Sequence, residues 1–65
     1  MKTEIVVYED NDFLRQSIVE LINEDQRFII TGDFTNCNQV LTQVKRLKPS
    51  VVLLDIGMPG VNGLE

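Results

Sequence analysis

Residues 49–65 read PSVVLLDIGMPGVNGLE and carry the strongest structural signal in the chain. Four consecutive apolar residues, VVLL at 51–54, lead directly into Asp55. A strand that helices cover on both faces needs such an uninterrupted apolar run, which is typical of parallel sheets. Turn-forming and polar residues follow, at Gly57, Pro59, Gly60, Asn62 and Gly63. The segment therefore predicts a buried parallel strand that ends at an acidic residue.

A strand pattern and a helix pattern open the chain. Residues 5–8, IVVY, form a β-branched and aromatic run, and the polar residues 9–12, EDND, end it. After this cluster the apolar residues recur at helical spacing, at Leu14, Ile18, Leu21 and Ile22. The pattern predicts a helix that fades at residues 23–25 and is capped at its start by Asn11 or Asp12.

The same alternation occurs a second time. Residues 28–31, FIIT, predict a weaker strand that runs to about Phe34, with Gly32 interrupting it. Asn36, with Gln39 three residues later, resembles a capping box and predicts the start of a second helix. The apolar stripe of this helix and the proline that ends it are Val40, Leu41, Val44, Leu47 and Pro49. The order β-α-β-α-β predicts an α/β fold with a parallel sheet and right-handed crossovers.

The composition of the 65-residue chain is that of an ordinary globular protein. Apolar residues make up 43% and charged residues 25%, and no apolar run is long enough to cross a bilayer. A chain of this length holds one domain at most. The first residues lack the cleavage site of a signal peptide, and the single Cys37 excludes an intramolecular disulfide and a metal–thiolate site. Both observations predict a cytoplasmic protein.

Charge and residue types limit the function classes further. The net charge of −4 argues against nucleic-acid binding by this segment. The basic residues Lys45, Arg46 and Lys48 cluster at the predicted end of the second helix, where they complement the helix dipole. The chain has no His, hence no Ser-His or Cys-His pair, and no glycine-rich phosphate loop follows a strand. An enzyme that acts on a small substrate is therefore the least expected class.

Three acidic residues follow strands that a parallel sheet can bring side by side. Glu9 and Asp10 come after the first strand and Asp55 after the third, and ligands bind at the carboxyl ends of such strands. Carboxylates in one small volume repel one another unless a cation joins them, and Mg²⁺ suits a site with few protein carboxylates. Each acid also has a simpler explanation. Asp10, like Asn11 and Asp12, can cap the helix, and Asp55 can be a turn residue.

The chain as a whole resembles the receiver domains of two-component response regulators. Residues 49–65 resemble their phosphorylation-site segment, an apolar run followed by Asp-x-x-Met-Pro, and VVYEDN at 6–11 resembles their acidic pair. The segment EDNDFLRQSIVELI at 9–22 is similar to the first helix of receivers that precede a helix-turn-helix output domain. Ser50 stands where the family usually has Asp, at a position remote from the chemistry. The resemblance implies a flavodoxin-like parallel sheet with the strand order 2-1-3.

The resemblance also implies a role for each matching residue. Asp55 is the expected phosphoacceptor, which takes a phosphoryl group from a histidine kinase. Asp10, Asp55 and the backbone carbonyl of Gly57 would ligate Mg²⁺ directly, and Glu9 would reach it through water. A metal offsets the charge when a carboxylate attacks a phosphoryl group. The full-length protein is expected to control transcription and to contact DNA only through an output domain outside this chain, with no membrane partner.

Receivers contain two further strands, which supply a Ser or Thr, a Lys and an aromatic switch residue. Residues 1–65 are therefore expected to be the N-terminal half of a receiver domain, truncated to β-α-β-α-β, and not an enzyme. Two alternatives stay open. One is a phosphate-inert module that holds the acids and acts by protein contact. The other is a self-associating half-sheet, in which a homodimer or higher oligomer buries the third strand at the sheet edge.

Overall fold

The computed structural model describes residues 1–55 of the chain. Three strands and two helices alternate within this range, which confirms the predicted element order. Their bounds are β1 Thr3–Tyr8, α1 Asp12–Asn23, β2 Phe28–Phe34, α2 Val40–Leu47 and β3 Val51–Leu54. Neither helix among these residues has the length and apolar composition needed to cross a membrane.

The three strands form one parallel sheet in the order β2-β1-β3, which confirms the α/β class and the implied order 2-1-3. Strand β1 lies in the centre, and β3 pairs with it from Ile5 opposite Val51 to Tyr8 opposite Leu54. Because the strands are parallel, their carboxyl ends lie at the same edge of the sheet. The residues that follow β1 and β3 are therefore neighbours.

Strand β1 supplies the buried core of the described residues. Its four residues 5–8 are buried, and Val6 has no exposed surface. On one face, Val6 and Tyr8 pack against apolar side chains of β2, α2, β3 and the loop before α2, namely Phe34, Cys37, Val40, Leu47 and Leu54. The Tyr8 and Phe34 rings stack with centroids 5.3 Å apart, and the Tyr8 hydroxyl donates to Gln43 Oε1 at 2.9 Å. Burial is the main cause that raises the pKa of Tyr8.

Helix α1 begins where the sequence predicts, but less of its apolar stripe is buried than the helical spacing predicts. Asn11 is the N-cap, because its Oδ1 accepts from the Leu14 backbone N–H at 3.0 Å, and the helix ends at Asn23. Leu14 and Leu21 belong to the predicted apolar stripe, yet both are exposed among the described residues. The physical reason is the position of α1, which packs mainly against β2, while Leu14 lines the open cleft between α1 and β3.

The predicted capping box at the start of α2 is wrong. The helix begins at Val40, and the Oδ1 of Asn36 accepts from the Asn38 backbone N–H at 3.0 Å, two residues further on. This side chain therefore closes a local turn and does not cap the helix. Gln39 is the N-cap, and it makes no capping side-chain hydrogen bond.

The end of α2 agrees with the prediction. The helix ends at Leu47, and the basic residues Lys45 and Arg46 lie in its last turn. Lys48 is the C-cap in a left-handed conformation with φ 49°, and its N–H donates to the Val44 carbonyl at 2.8 Å. This arrangement satisfies one of the terminal carbonyls before Pro49 turns the chain into β3.

Strand β2 continues through Gly32, although its pairing with β1 is irregular there. Ile5 lies opposite Ile30 and Val6 opposite Gly32, so Thr31 is an extra residue in β2. A Cβ atom at position 32 would lie 2.9 Å from Phe34 Cε2 and 3.0 Å from Leu47 Cδ1. Glycine at this position allows Phe34 and Leu47 to close over the sheet beside Tyr8.

We expect Gly32→Ala to lower the free energy of unfolding by about 1–3 kcal/mol, the usual cost of overpacking a core. The Phe34 ring is held by its stack with Tyr8, so the added methyl group must displace Leu47 or the strand. In a Leu47→Ala background the cost should fall by at least about 0.5 kcal/mol, because contacting residues couple on that scale. Urea unfolding of the four variants measures both values. Equal costs in the two backgrounds would show that this contact is not the cause.

Candidate functional site

Three acidic residues meet at the carboxyl edge of the sheet. Glu9 and Asp10 follow β1, and Asp55 follows β3, where its backbone N–H donates to the Tyr8 carbonyl at 3.3 Å. One carboxylate oxygen from each of the three residues lies within 4.8 Å of the other two. The residues that the sequence places after two separate strands are therefore close enough to share one small ligand.

Glu9 is buried, with only 5% of its surface exposed, and both its backbone N–H and its backbone carbonyl are hydrogen-bonded. Its N–H donates to the Phe34 carbonyl at 3.0 Å, and its carbonyl accepts from Arg15 Nη1 at 3.1 Å. Its Oε2 accepts from the Asn11 backbone N–H at 3.1 Å. A buried carboxylate is costly without such donors. Asp10, by contrast, is exposed to solvent.

The start of α1 lies directly after the acid pair. Asn11 caps the helix, and its own N–H reaches back to the Glu9 carboxylate. The N-terminal end of a helix carries a partial positive charge, which stabilises nearby carboxylates. The helix start therefore offsets part of the repulsion among the acids and fixes the turn at residues 9–12.

A cleft of about 490 Å³ lies beside the acids, between α1 and the sheet. Glu9 and Asp55 contribute to its lining, and the other side chains in its walls are mainly apolar. Those residues come from α1, β1 and β3, namely Leu14, Ile18, Val7, Tyr8, Leu53 and Leu54. The acids thus lie next to an apolar surface, where charges interact more strongly than in open water.

The donor set fits a hard divalent cation. Carboxylate oxygens are the ligands that Mg²⁺ and Ca²⁺ take, and two oxygens on opposite sides of one Mg²⁺ are about 4.2 Å apart. The three carboxylates, within 4.8 Å of one another, are already close to these dimensions. Glu9 has one oxygen engaged by the Asn11 N–H, so it suits a contact through water better than Asp10 does.

The fourth expected ligand, the Gly57 carbonyl, lies outside the described residues, as do Met58 and Pro59. Arg15, which contacts the Glu9 carbonyl and is only 16% exposed, is not among the residues predicted from the sequence. The available signal was its spacing from Asp12, since residues three apart on a helix are neighbours. That spacing is common on surface helices and does not reveal a contact with a backbone carbonyl.

Comparison with known proteins identifies the family to which the chain is similar. The chain matches the family described as response regulator receiver domain over residues 5–65. It is 40% identical over 60 residues to an uncharacterized response regulatory protein of Vibrio parahaemolyticus, covering 92% of this chain and 25% of that protein. It is 34% identical over 65 residues to the sensory transduction protein LytT of Oceanobacillus iheyensis, covering 100% of this chain and 26% of that protein.

A third relative is named as an enzyme. The chain is 34% identical over 64 residues to protein-glutamate methylesterase/protein-glutamine glutaminase 2 of Photobacterium profundum, which covers 98% of this chain and 16% of that protein. The chain thus spans between about a sixth and a quarter of the length of these relatives. The family match covers most of the chain and coincides with the parallel sheet and the three converging acids. The chain belongs to the response regulator receiver domain family.

Proposed function

We propose that Asp55 is the phosphoacceptor of this receiver and takes its phosphoryl group from a histidine kinase. The observation that carries the proposal is the convergence of the Asp55 carboxylate with those of Glu9 and Asp10. In the reaction, an Asp55 carboxylate oxygen forms a bond to phosphorus while the bond from phosphorus to the kinase histidine nitrogen breaks. The nitrogen keeps the electron pair of that bond.

The other acids prepare the site for this attack. Asp10 and Asp55 would hold Mg²⁺ directly, together with the Gly57 carbonyl, and Glu9 would hold it through a water molecule. When bound, the ion supplies positive charge that offsets the negative charge of the carboxylate and the phosphoryl oxygens. Glu9 keeps the turn after β1 in place through its bonds to Asn11 and Phe34, so Asp10 stays beside Asp55.

We also propose that residues 1–65 are the N-terminal half of the receiver domain. The five elements of the described residues correspond to the first half of the implied flavodoxin-like sheet. The Ser or Thr and the Lys that the family resemblance implies would then come from the other half. The term completed domain is used below for this chain joined to the C-terminal half of a related receiver.

The output of the full-length protein is proposed to be transcription control from a cytoplasmic location, with DNA bound only by a separate domain. The similarity of residues 9–22 to receivers that precede helix-turn-helix domains supports this assignment. A methylesterase output is the second candidate, since several relatives are named protein-glutamate methylesterases. In both cases the output belongs to a part of the protein outside this chain.

Phosphorylation of the completed domain by a small phosphodonor should depend entirely on Asp55. We expect Asp55→Asn to abolish incorporation of acid-labile phosphate, because the amide cannot serve as the nucleophile. Asp25→Asn is a matched control, since Asp25 lies in the turn between α1 and β2 and should label at the normal level. Full labelling of Asp55→Asn would refute the assignment, and no labelling of the normal sequence would favour the phosphate-inert alternative.

The two acids after β1 should differ in their contribution to Mg²⁺ binding by the completed domain. Loss of a partner outside the first coordination shell typically weakens metal binding about tenfold or more, which is the effect we expect for Glu9→Ala. Asp10→Ala should weaken binding further, because it removes a direct ligand. Calorimetric titration with MgCl₂ measures both values. Equal losses, or no loss in either variant, would contradict the assigned roles. The 65-residue chain should bind Mg²⁺ only weakly, because the ion must order a flexible frame.

We further propose that the 65-residue chain by itself forms a homodimer or higher oligomer through β3. In the sheet of the described residues, β3 is an edge strand, and Leu53 is 38% exposed. An apolar edge strand presents unpaired backbone groups and side chains to other chains. A short chain also buries too little surface to be very stable alone, so association would supply part of its core.

Leu53→Lys should convert the 65-residue chain into a soluble, largely unfolded monomer, because it places a charge in the proposed interface. Leu41→Lys is the matched control: Leu41 is 73% exposed on α2, and its replacement should leave association unchanged. Analytical ultracentrifugation and circular dichroism measure the mass and the folded content. A well-folded monomer of the normal sequence at micromolar concentration, with a cooperative melting transition, would overturn this proposal.

A further inference from the structure

Arg15 joins three parts of the structure that border the acid site, by which we mean the cluster of Glu9, Asp10 and Asp55. It lies on α1, one turn after the helix start, and its side chain is only 16% exposed. Its Nη1 donates to the Glu9 backbone carbonyl at 3.1 Å and to Asp12 Oδ1 at 2.8 Å. Its Nε donates to Asp33 Oδ2 at 3.2 Å, near the carboxyl end of β2. One guanidinium therefore spans the turn after β1, the first turn of α1 and the end of β2.

The contact with Glu9 concerns its backbone and not its carboxylate. The carboxylate accepts from the Asn11 N–H, and the Glu9 N–H is bonded to Phe34. The Arg15 bond therefore fixes the peptide group between Glu9 and Asp10, which determines the direction in which Asp10 leaves the strand. A planar guanidinium with several donors can hold such a geometry, whereas a single ammonium group cannot make all three contacts equally well.

The charge of Arg15 by itself would act against a cation at this site. A positive group near three carboxylates competes with a metal ion for the same negative potential. Two carboxylates outside the acid site, those of Asp12 and Asp33, balance this charge. The hydrogen bond that Arg15 donates to Asp12 is the main cause that raises the pKa of Arg15, so the residue stays charged. A purely electrostatic effect and a positioning effect of Arg15 therefore have opposite signs.

We propose that Arg15 is a positioning residue of the cation site, which holds the Glu9–Asp10 peptide so that Asp10 lies beside Asp55. The inference rests on the proposed function, because it requires that the three acids bind a divalent cation. It assigns to α1 the task of anchoring the turn from the outside, through Asp33 on the neighbouring strand. Arg15 itself touches neither the ion nor the phosphoryl group.

The test compares Mg²⁺ affinity in Arg15 variants of the completed domain at constant ionic strength. Positioning predicts that Arg15→Ala weakens binding about tenfold, as loss of an outer partner of a metal site does. The Mg²⁺ affinity of Arg15→Lys should lie between those of Arg15→Ala and the normal sequence, because lysine keeps the charge but lacks the planar group with several donors. A purely electrostatic effect predicts tighter binding for Arg15→Ala and unchanged binding for Arg15→Lys. Tighter or unchanged binding in both variants would overturn the inference.

Arg27→Ala is the matched control for loss of a paired arginine. Arg27 bonds Asp25 in the turn between α1 and β2, and this bond lowers the pKa of Asp25 to about 2. Its side chain is 78% exposed, and its ion-pair partner Asp25 is not one of the three acids of the site. Its replacement should leave Mg²⁺ affinity unchanged. An equal loss in Arg27→Ala would show a general effect of destabilisation and would overturn the inference.

Two further measurements distinguish loss of folding, failure of this inference and failure of the proposed function. The melting temperature of each variant without Mg²⁺ identifies loss of folding, and Arg15→Lys provides the decisive comparison if Arg15→Ala does not fold. Asp10→Ala reports on the site itself. If Asp10→Ala loses binding while both Arg15 variants keep it, the inference fails and the proposed function stands. If the normal sequence does not bind Mg²⁺ and Asp10→Ala changes nothing, both fail.

Discussion

The burial of β1 between β2 and β3 is the constraint on which the other features of the structure depend. Its residues 5–8 form the core of the described chain, and both β2 and β3 pair with it in parallel. The strand passes directly from this core into the buried Glu9, so the acid site begins where the apolar core ends. Any change that loosens β1 is therefore expected to alter the core and the position of the acids together.

The acid cluster lies directly after the apolar core of β1. The core stabilises the fold, whereas the repulsion among the clustered charges opposes folding. Three carboxylates within 4.8 Å repel one another, and Glu9 is also removed from solvent. Backbone donors offset this cost, through the Asn11 N–H and the start of α1. Arg15 adds an anchor from outside the cluster. The residues after β1 thus form an acidic turn that several hydrogen bonds hold in place, and a cation-dependent phosphoacceptor site needs such positioning.

The sequence predicted the features that depend on strong local patterns. The VVLL run predicts β3, and the alternation of periods predicts the parallel sheet. The predicted burial of β3 is wrong for the described residues, because β3 is an edge strand there and Val51, Val52 and Leu53 are 38–39% exposed. Asn11, one of the two predicted caps of α1, is the observed N-cap. The sequence failed where two local hydrogen bonds compete, as at Asn36, whose side chain can reach a backbone N–H two or three residues further on. It also failed to predict the extra residue Thr31 in β2 and the contact of Arg15 with Glu9, because both depend on how separate elements meet.

The most direct test of a single cation-dependent phosphoacceptor site is a crystal structure of the completed domain soaked with Mn²⁺ in place of Mg²⁺. One anomalous difference peak should lie about 2.1 Å from carboxylate oxygens of both Asp10 and Asp55, with Glu9 farther away and joined through water. Such a peak would place the metal and the phosphoacceptor in the same cluster. The absence of a peak there at saturating Mn²⁺, or a peak bound by Asp10 without Asp55, would contradict that conclusion.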